Sequence, residues 1–211
     1  MLFQLDTEAA SKVNGGGNRI NESGIYKGKI TRAEWSASNS SQAAFLNIDF
    51  KSDCGKEAKF MSICYQKGDG SKAFGYDAMM AIIATTKNRQ VTSADYNGKK
   101  VCPELIDKPI ALALQAEQDW YFDDQSGDYK PTTNMLIYVP FVYDTGHTAK
   151  ELLSKLEPQT IARLVVNDRK PKDKPAHQSQ GGFAPSQQAA PQGGASGPME
   201  PPIDFDDDIP F

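Results

Sequence analysis

Residues 25–35 read Ile25-Tyr26-Lys27-Gly28-Lys29-Ile30-Thr31-Arg32-Ala33-Glu34-Trp35, and the architecture of the chain is best inferred outward from them. Polar and apolar side chains alternate here with a period near two, which is typical of a β-strand. One predicted face carries Tyr26, Gly28 and Ile30, and the other carries Lys27, Lys29, Thr31 and Trp35. A glycine in the middle of a strand favours a tight bend, as a small barrel requires.

Two more strands follow at short spacing. Residues 43–51 place Leu46, Ile48 and Phe50 on one face, and the opposite face carries Phe45, Asn47, Asp49 and Lys51. Residues 52–56 form a turn with Gly55 at its centre. Residues 57–66 form the third strand, which contains Phe60, Met61, Ile63 and Tyr65. The three strands predict a β-meander.

The period changes after the third strand. Residues 76–86 are apolar nearly all round and predict a short buried helix. Residues 108–122 and 134–143 predict a fourth and a fifth strand, separated by a turn-rich loop over 123–131. Residues 87–107 are mixed and contain a turn signal at Asn97-Gly98.

Five strands with a helix between the third and the fourth is the order of the OB-fold, a small and partly open barrel. The sequence therefore predicts a mainly β, five-stranded OB-fold barrel. Such a fold binds oligonucleotides through one strand face and two loops.

The remaining segments divide the chain into four parts. Residues 1–23 form an N-terminal arm, which packs its first residues on the body or pairs with another copy. Residues 24–167 form the OB-fold domain, with an extra C-terminal helix over 148–156 that starts at a capping box. Residues 168–199 predict a disordered linker, because Pro, Gly, Gln, Ala and Ser bury too little surface to offset the entropy of ordering. Residues 200–211 form an acidic tip.

The net charge of −4 is unevenly distributed along the chain. Five of the 27 acidic residues lie in residues 175–211, which contain no Lys or Arg. The first 174 residues hold all 23 Lys and Arg with the remaining 22 acids, so the body is close to neutral. A nucleic-acid site in the body must therefore come from local clustering of charge.

Single-stranded nucleic acids are held by aromatic side chains that stack on bases and by cations that meet phosphates. Trp35 and Phe45 are favoured as stacking residues because their strand neighbours place them opposite the core, and Trp120 because it lies near a loop. Phe60 or Tyr65 joins them according to the register of the third strand. The candidate DNA-binding residues are Lys27, Lys29, Trp35, Phe45, Lys51, Lys59, Phe60, Tyr65, Trp120, Tyr121 and Lys130. No pattern suggests base-edge readout, so little sequence preference is expected.

A catalytic interpretation has weaker support. Asp49 or Asp53, followed by Glu57-Ala58-Lys59, resembles the acidic-x-Lys signature of metal-dependent nucleases. The alternative, which we favour, is a set of hairpin charges on either side of the Gly55 turn. Two histidines and three cysteines without a CxxC pair supply neither a zinc pattern nor a Ser/His/Asp set. We expect no enzyme activity, no cofactor and no metal.

Two absences bear on the compartment. No stretch approaches the roughly 18 apolar residues of a membrane span. The N-terminus lacks the basic and apolar regions of a signal peptide. We therefore expect a soluble intracellular protein with no membrane partner.

The chain ends on Asp204-Phe205-Asp206-Asp207-Asp208-Ile209-Pro210-Phe211. Four carboxylates, an aromatic side chain and a terminal carboxylate are the features that a basic, apolar-lined pocket captures. This ending resembles, almost letter for letter, the tip of bacterial single-stranded DNA-binding proteins. The resemblance implies that Phe211 enters a hydrophobic pocket on DNA replication, recombination and repair enzymes. It implies further that Asp206, Asp207 and Asp208 meet basic ridges beside that pocket.

The resemblance also bears on the body and on the compartment. It implies single-stranded DNA binding in the bacterial cytoplasm. The body matches the usual bacterial protein only in the expected OB architecture, so the chain looks like a divergent, phage-type version that carries the host tip. A monomer and a dimer or other homo-oligomer both remain open. Two other functions also stay open: a decoy that occupies the tip-binding enzymes without binding DNA, and the metal-dependent nuclease.

Overall fold

Strands dominate residues 18–175, the part of the chain that this computed structural model describes. The strands there are β1 (Gly24–Ala37), β2 (Ala44–Ser52), β3 (Glu57–Gln66), β4 (Ala94–Tyr96), β5 (Lys99–Val101), β6 (Pro109–Asp123) and β7 (Asp128–Phe141). The helices there are α1 (Tyr76–Thr85), α2 (Ala149–Leu153) and α3 (Thr160–Arg163). The first 17 residues of the predicted arm, most of the predicted linker and the whole tip lie outside the described residues.

The expected mainly β architecture with an antiparallel sheet is confirmed. The five predicted strands correspond to β1, β2, β3, β6 and β7, and α1 lies between the third and the fourth of them. β1 pairs with β2, with β5 and with β6, while β3 pairs with β2 and β7 pairs with β6. Within residues 18–175, no strand pairing joins β3 to β7.

Gly28 marks the point where β1 changes partner. It pairs with Ser52 of β2 on one side and with Ile110 of β6 on the other. A Cβ atom at this position would lie 2.1 Å from the carbonyl oxygen of Lys51 and 2.6 Å from the Cα atom of Ser52. The backbones can approach this closely only because residue 28 has no side chain.

A β-bulge in β1 changes which of its side chains face the core, compared with the sequence prediction. Ile30 pairs with Phe50, and the next pair is Arg32 with Asp49, so Thr31 is an extra residue. The extra residue reverses the alternation, and Ala33 becomes fully buried.

The prediction that Trp35 lies opposite the core is therefore wrong. Its ring packs against the core, edge-on to Tyr65 at 5.4 Å between ring centroids. The indole N–H of Trp35 donates to the carbonyl oxygen of Thr92 at 3.1 Å.

The C-terminal segment packs on the outside of the sheet. Ile161, Leu164 and Val166 cover a small apolar cluster of Ala111, Ala113 and Phe141 on β6 and β7. The predicted capping box is confirmed, although α2 ends at Leu153 and not near residue 156. The apolar side chains of this segment, Leu152, Leu153 and Leu156, do not all pack on the described body, since Leu153 is 75% exposed.

Glu151 joins α2 to α3. Its carboxylate accepts from the backbone N–H and the hydroxyl of Thr148, from the N–H of Gln159, and from the N–H and the hydroxyl of Thr160. Burial raises the pKa of the Glu151 carboxyl, but the hydrogen bonds from Thr148 and Thr160 outweigh burial and lower it to about 2.

Two other boundaries differ from the sequence predictions, and one predicted turn is confirmed within a hairpin that was not predicted. The loop expected over 123–131 is a hairpin, because β6 runs to Asp123 and pairs there with Asp128 of β7. The Asn97-Gly98 signal is the turn of a short β4–β5 hairpin in which both residues have positive φ. The linker expected from residue 168 starts later, because the N–H groups of Arg169 and Lys172 donate to carbonyl oxygens of β6.

Among the described residues, no helix is both long enough and apolar enough to cross a bilayer.

Replacing Gly28 with alanine should destabilise the domain by about 2 kcal/mol, because a side chain there forces β1 away from β2. Gly24→Ala is the control, since a Cβ at Gly24 would make only ordinary contact at 3.5 Å with the ring of Tyr26. Urea unfolding of the two variants measures the difference. Equal stabilities would show that the close approach at Gly28 does not constrain the sheet.

Candidate nucleic-acid interface

The surface of β1, β2 and β3 that points away from the core collects most of the predicted DNA-binding residues. We call this surface the outer face. Lys29 of β1 lies directly across from Lys51 of β2, and Lys51 lies across from Glu57 of β3. The outer face carries Lys27, Lys29, Arg32, Phe45, Lys51, Lys59 and Phe60.

The lysines of the outer face form exposed ion pairs. Lys29 Nζ lies 2.6 Å from an Asp107 oxygen, and Lys59 Nζ lies 2.8 Å from a Glu57 oxygen. Lys51 Nζ lies 3.8 Å from the same Glu57 carboxylate. Because these lysine side chains are about half exposed, each pair contributes only about 0–1 kcal/mol to stability. A phosphate can replace the carboxylates at small cost.

Lys27 has a different neighbour. Its ammonium lies 5.6 Å from the centroid of the Tyr143 ring, a cation–π distance. The hydroxyl of Tyr143 donates to Asp53 at 2.9 Å. This group lies at the start of the β1–β2 pairing, since the N–H of Asp53 donates to the carbonyl oxygen of Lys27.

Arg32 and Asp49 form the central pair of the outer face. The guanidinium donates to both Asp49 oxygens at 2.8 Å and to Glu34 at 2.9 Å. Burial raises the pKa of the Asp49 carboxyl, but the hydrogen bonds from Arg32 and from the N–H of Phe60 outweigh it and hold the pKa below its usual value. Asp49 therefore stays ionised and fixes the plane of the guanidinium.

Phe60 stands on a second β-bulge. Ile48 pairs with Met61 and Phe50 pairs with Ala58, so two residues of β3 lie opposite Asp49. Phe60 has a φ of 60°, and its N–H donates to Asp49 at 2.7 Å. The ring is 77% exposed and lies 5.2 Å from the guanidinium carbon of Arg32. The bulge thus presents a flat aromatic ring to solvent beside cationic side chains.

The register separates the two aromatic candidates of β3. Phe60 lies on the outer face, whereas Tyr65 packs against the core, and burial raises the pKa of its hydroxyl. Tyr65 therefore does not join the outer face. The predicted placement of Phe45 opposite Leu46 and Ile48 is confirmed, and its side chain is half-buried across from Cys64.

The remaining candidates lie on the β6–β7 hairpin, in a different environment. The indole N–H of Trp120 donates to the carbonyl oxygen of Lys172 at 3.0 Å, so residues 167–174 pass beside the ring. We call residues 167–174 the strap. Tyr121, 48% exposed, lies across from Lys130. Lys130 forms an ion pair with Asp123.

The hairpin carries acids that face the strap. Arg169 and Lys172 pair with Glu117, Lys172 also pairs with Asp119, and Lys174 pairs with Asp128. These contacts hold the basic strap on an acidic surface. The hairpin candidates are thus not brought into the cationic cluster of the outer face.

Arg19 was missed by the sequence interpretation. Its backbone forms an isolated parallel β-bridge with Glu57 at the start of β3, and its guanidinium donates to the carbonyl oxygen of Thr133 on β7 at 2.6 Å. A cavity of about 330 Å³ lies between Arg19, Lys59 and Phe60. No sequence signal places a residue of the predicted arm here.

Arg32 was also missed, but a signal was available. Uninterrupted alternation from Ile30 would place Arg32 in the core, where an arginine is rare unless paired. A charged residue at a predicted core position indicates a change of register. The bulge at Thr31 makes that change.

The carboxylates of the nuclease alternative have other partners. Asp49 binds Arg32, Glu57 binds Lys51 and Lys59, and Asp53 accepts from Tyr143. Within the described part of the chain, no three His, Cys, Asp or Glu side chains are grouped so that they could hold a metal ion. These side chains add no support to the nuclease alternative.

Comparison with known proteins gives no assignment: no protein-family model matches the chain, and no curated protein matches it.

Asp49→Asn should destabilise the domain by about 2 kcal/mol at neutral pH, because a charged hydrogen-bond acceptor for Arg32 and Phe60 is lost. Since folding lowers the pKa of Asp49, its stabilisation is complete above the ordinary value of 3.8 and is lost as the pH falls below it.

Urea unfolding at neutral and acidic pH checks both statements. The difference in the free energy of unfolding between the native protein and Asp49→Asn should shrink as the pH falls below 3.8. Asp95→Asn, on the exposed strand β4, is the control. A loss of stability that does not change with pH would contradict the role given to the Asp49 charge.

Proposed function

We propose that this protein binds single-stranded DNA on the outer face, without strong sequence preference, and protects it during replication, recombination and repair. The observation that carries the proposal is Phe60, an exposed ring held beside Arg32 and close to Lys51 and Lys59. Single-strand binding needs an aromatic platform next to cations.

We further propose that the domain is a divergent OB-fold. The order of three strands, α1 and two long strands supports this assignment, as does the pairing of β1 with both β2 and β6. In such a fold, oligonucleotides bind the face of the second and third strands, which are β2 and β3 here.

The binding mechanism follows from the geometry of the outer face. A base stacks on the Phe60 ring and gains about 1–3 kcal/mol. The backbone phosphates replace Glu57 and Asp107 as partners of the lysines, and bound counterions are released from the DNA. Affinity therefore falls with salt, by a slope of about 0.7 per phosphate contact. Stacking and phosphate contacts are available with any base, so sequence preference is small.

The tip, Asp204 to Phe211, has a second role in this proposal. It recruits DNA replication, recombination and repair enzymes, and its resemblance to the tip of bacterial single-stranded DNA-binding proteins supports this role. The disordered linker predicted from the sequence supports a further effect of the tip. A random coil of the length between the strap and the tip would span roughly 30 Å, so the Asp run would also compete weakly with DNA for the outer face.

A gel shift with an oligo(dT) of roughly 30 nucleotides, longer than one OB-fold occupies, tests the proposal. The expected result is a retarded and intact strand, with and without Mg²⁺. An unshifted strand would favour the decoy function, and a shortened product would favour the nuclease. Either of these results would overturn the proposal.

Within the same assay, Phe60→Ala should raise the Kd for oligo(dT) roughly 5- to 150-fold, the equivalent of one lost stacking contact. Leu153→Ala, an equally exposed apolar residue on α2, should leave the Kd unchanged. A Phe60 variant that binds as tightly as the native protein would remove the main support for the outer face.

Phe211→Ala should leave DNA binding intact and abolish the binding of a repair enzyme that recognises such tips, as measured by fluorescence anisotropy. Deleting residues 200–211 should leave DNA affinity equal or higher, most clearly at low salt, because a competing run of carboxylates is removed. Unchanged enzyme binding by Phe211→Ala would contradict the recruiting role. A large loss of DNA affinity after the deletion would contradict the competition.

A further inference from the structure

An open groove separates β3 from β7. It has a volume of about 390 Å³ and lies between residues 61–63 of β3 and residues 135–138 of β7. Its lining includes the core residues Met61, Ile63 and Met135, together with Gly75 and Ala78 at the start of α1. We call it the seam groove, because it follows the edges of β3 and β7 that strand pairing does not join.

Phe74 lines the seam groove and is 93% exposed. The backbone on both sides of it is nevertheless fixed to β3. The N–H of Ala73 donates to the Tyr65 carbonyl oxygen at 3.0 Å, and the N–H of Gly75 donates to that of Cys64 at 2.9 Å. A Cβ at Gly75 would lie only 2.4 Å from the latter oxygen, so the chain passes tightly against the strand. Phe74 is thus a solvated aromatic side chain on a fixed backbone.

Tyr138 lines the same groove and is 50% exposed. Val139 pairs with Ala113 and Ile137 pairs with Leu114, so Tyr138 is the extra residue of a β-bulge in β7. Bulges re-aim side chains, and this one turns an aromatic ring toward solvent. Two exposed rings from different elements therefore share one groove.

The seam groove is continuous with the outer face. Ser62 lines the groove and lies two residues after Phe60 on the same strand, a separation of about 6.7 Å. Gln115 and Arg169 add polar and cationic groups to the lining, and the Arg169 guanidinium lies 3.5 Å from Glu117 at half exposure. Polar groups around apolar walls suit a base, which has a π-face and a hydrogen-bonding edge.

We propose that the seam groove is a second stacking site for single-stranded DNA. A strand whose base stacks on Phe60 continues past Ser62, and a later base stacks on Phe74 and Tyr138. The inference rests on the proposed function and extends it. It gives the path that the bound DNA takes across the surface, from Phe60 along β3 toward β7.

Phe74→Leu removes the ring and keeps an apolar side chain, and Phe74→Trp keeps an aromatic ring. With an oligo(dT) of about 16 nucleotides, Phe74→Leu should raise the Kd fivefold or more, and Phe74→Trp should stay within twofold of the native protein. With the same oligonucleotide, the double variant Phe60→Ala/Phe74→Leu should bind more weakly than either single variant, because two separate stacking contacts are lost. Met80→Leu on α1 is the control, and Tyr138→Leu should reproduce the result of Phe74→Leu.

The outcomes separate the inference from the proposed function. If the native protein does not bind the oligonucleotide, the proposed function fails. If Phe60→Ala weakens binding and Phe74→Leu does not, only the inference is overturned. A double variant that binds no more weakly than Phe60→Ala would place Phe74 at the first site and would also overturn it.

Two further results would assign the groove to another occupant and reject the inference. One is a change in sedimentation mass caused by Phe74→Leu without a change in DNA affinity, which would indicate a second copy of the chain. The other is a higher DNA affinity of Phe74→Leu than of the native protein that disappears when residues 200–211 are deleted from both, which would indicate that the tip occupies the groove.

Discussion

The carboxylate of Asp49 is the constraint on which the outer face depends. It accepts two hydrogen bonds from the Arg32 guanidinium and one from the N–H of Phe60. Each of these donors belongs to a bulged strand, β1 or β3, and Asp49 lies on β2 between them. One side chain thus fixes both irregularities in relation to each other. Because the Phe60 ring lies over Arg32, the same carboxylate also sets the position of the exposed aromatic ring.

Bulges decide which way the aromatic side chains of this sheet point. The bulge at Thr31 turns Trp35 into the core, and the bulge opposite Asp49 turns Phe60 to solvent. The bulge in β7 does the same for Tyr138. A regular sheet with this sequence would bury Arg32 and expose Trp35. Many binding proteins present their binding side chains on loops. Here the β-bulges aim the aromatic side chains of the proposed site and keep them on rigid strands.

This dependence explains how far the sequence could be interpreted. The five long strands, their order and the face of Phe45 follow from alternation, since period-two patterns report burial directly, and α1 follows from the break in that period. The strands β4 and β5 were not predicted, because three residues each are too few to show a period. Alternation carries no mark of an inserted residue, so Trp35 was placed on the wrong face. Strap contacts are equally hidden: Trp120 looks like a loop aromatic, but Lys172, 52 residues later, accepts its N–H. Only Arg32, a charged residue at a predicted core position, indicated the change of register in β1.

Charge placement gives the two surfaces different character although the body is nearly neutral. On the hairpin, Glu117 and Asp119 share the cations of the strap, so those acids hold a backbone segment in place. On the outer face, Glu57 and Asp107 form ion pairs with lysines whose side chains are half exposed. These ion pairs do not hold a separate backbone segment in place. Exchanging such a carboxylate for a phosphate changes the energy little, because exposed ion pairs are weak. A face of pre-paired lysines therefore needs no excess of positive charge to accept a polyanion, and in the proposed complex counterion release from DNA would supply the driving force.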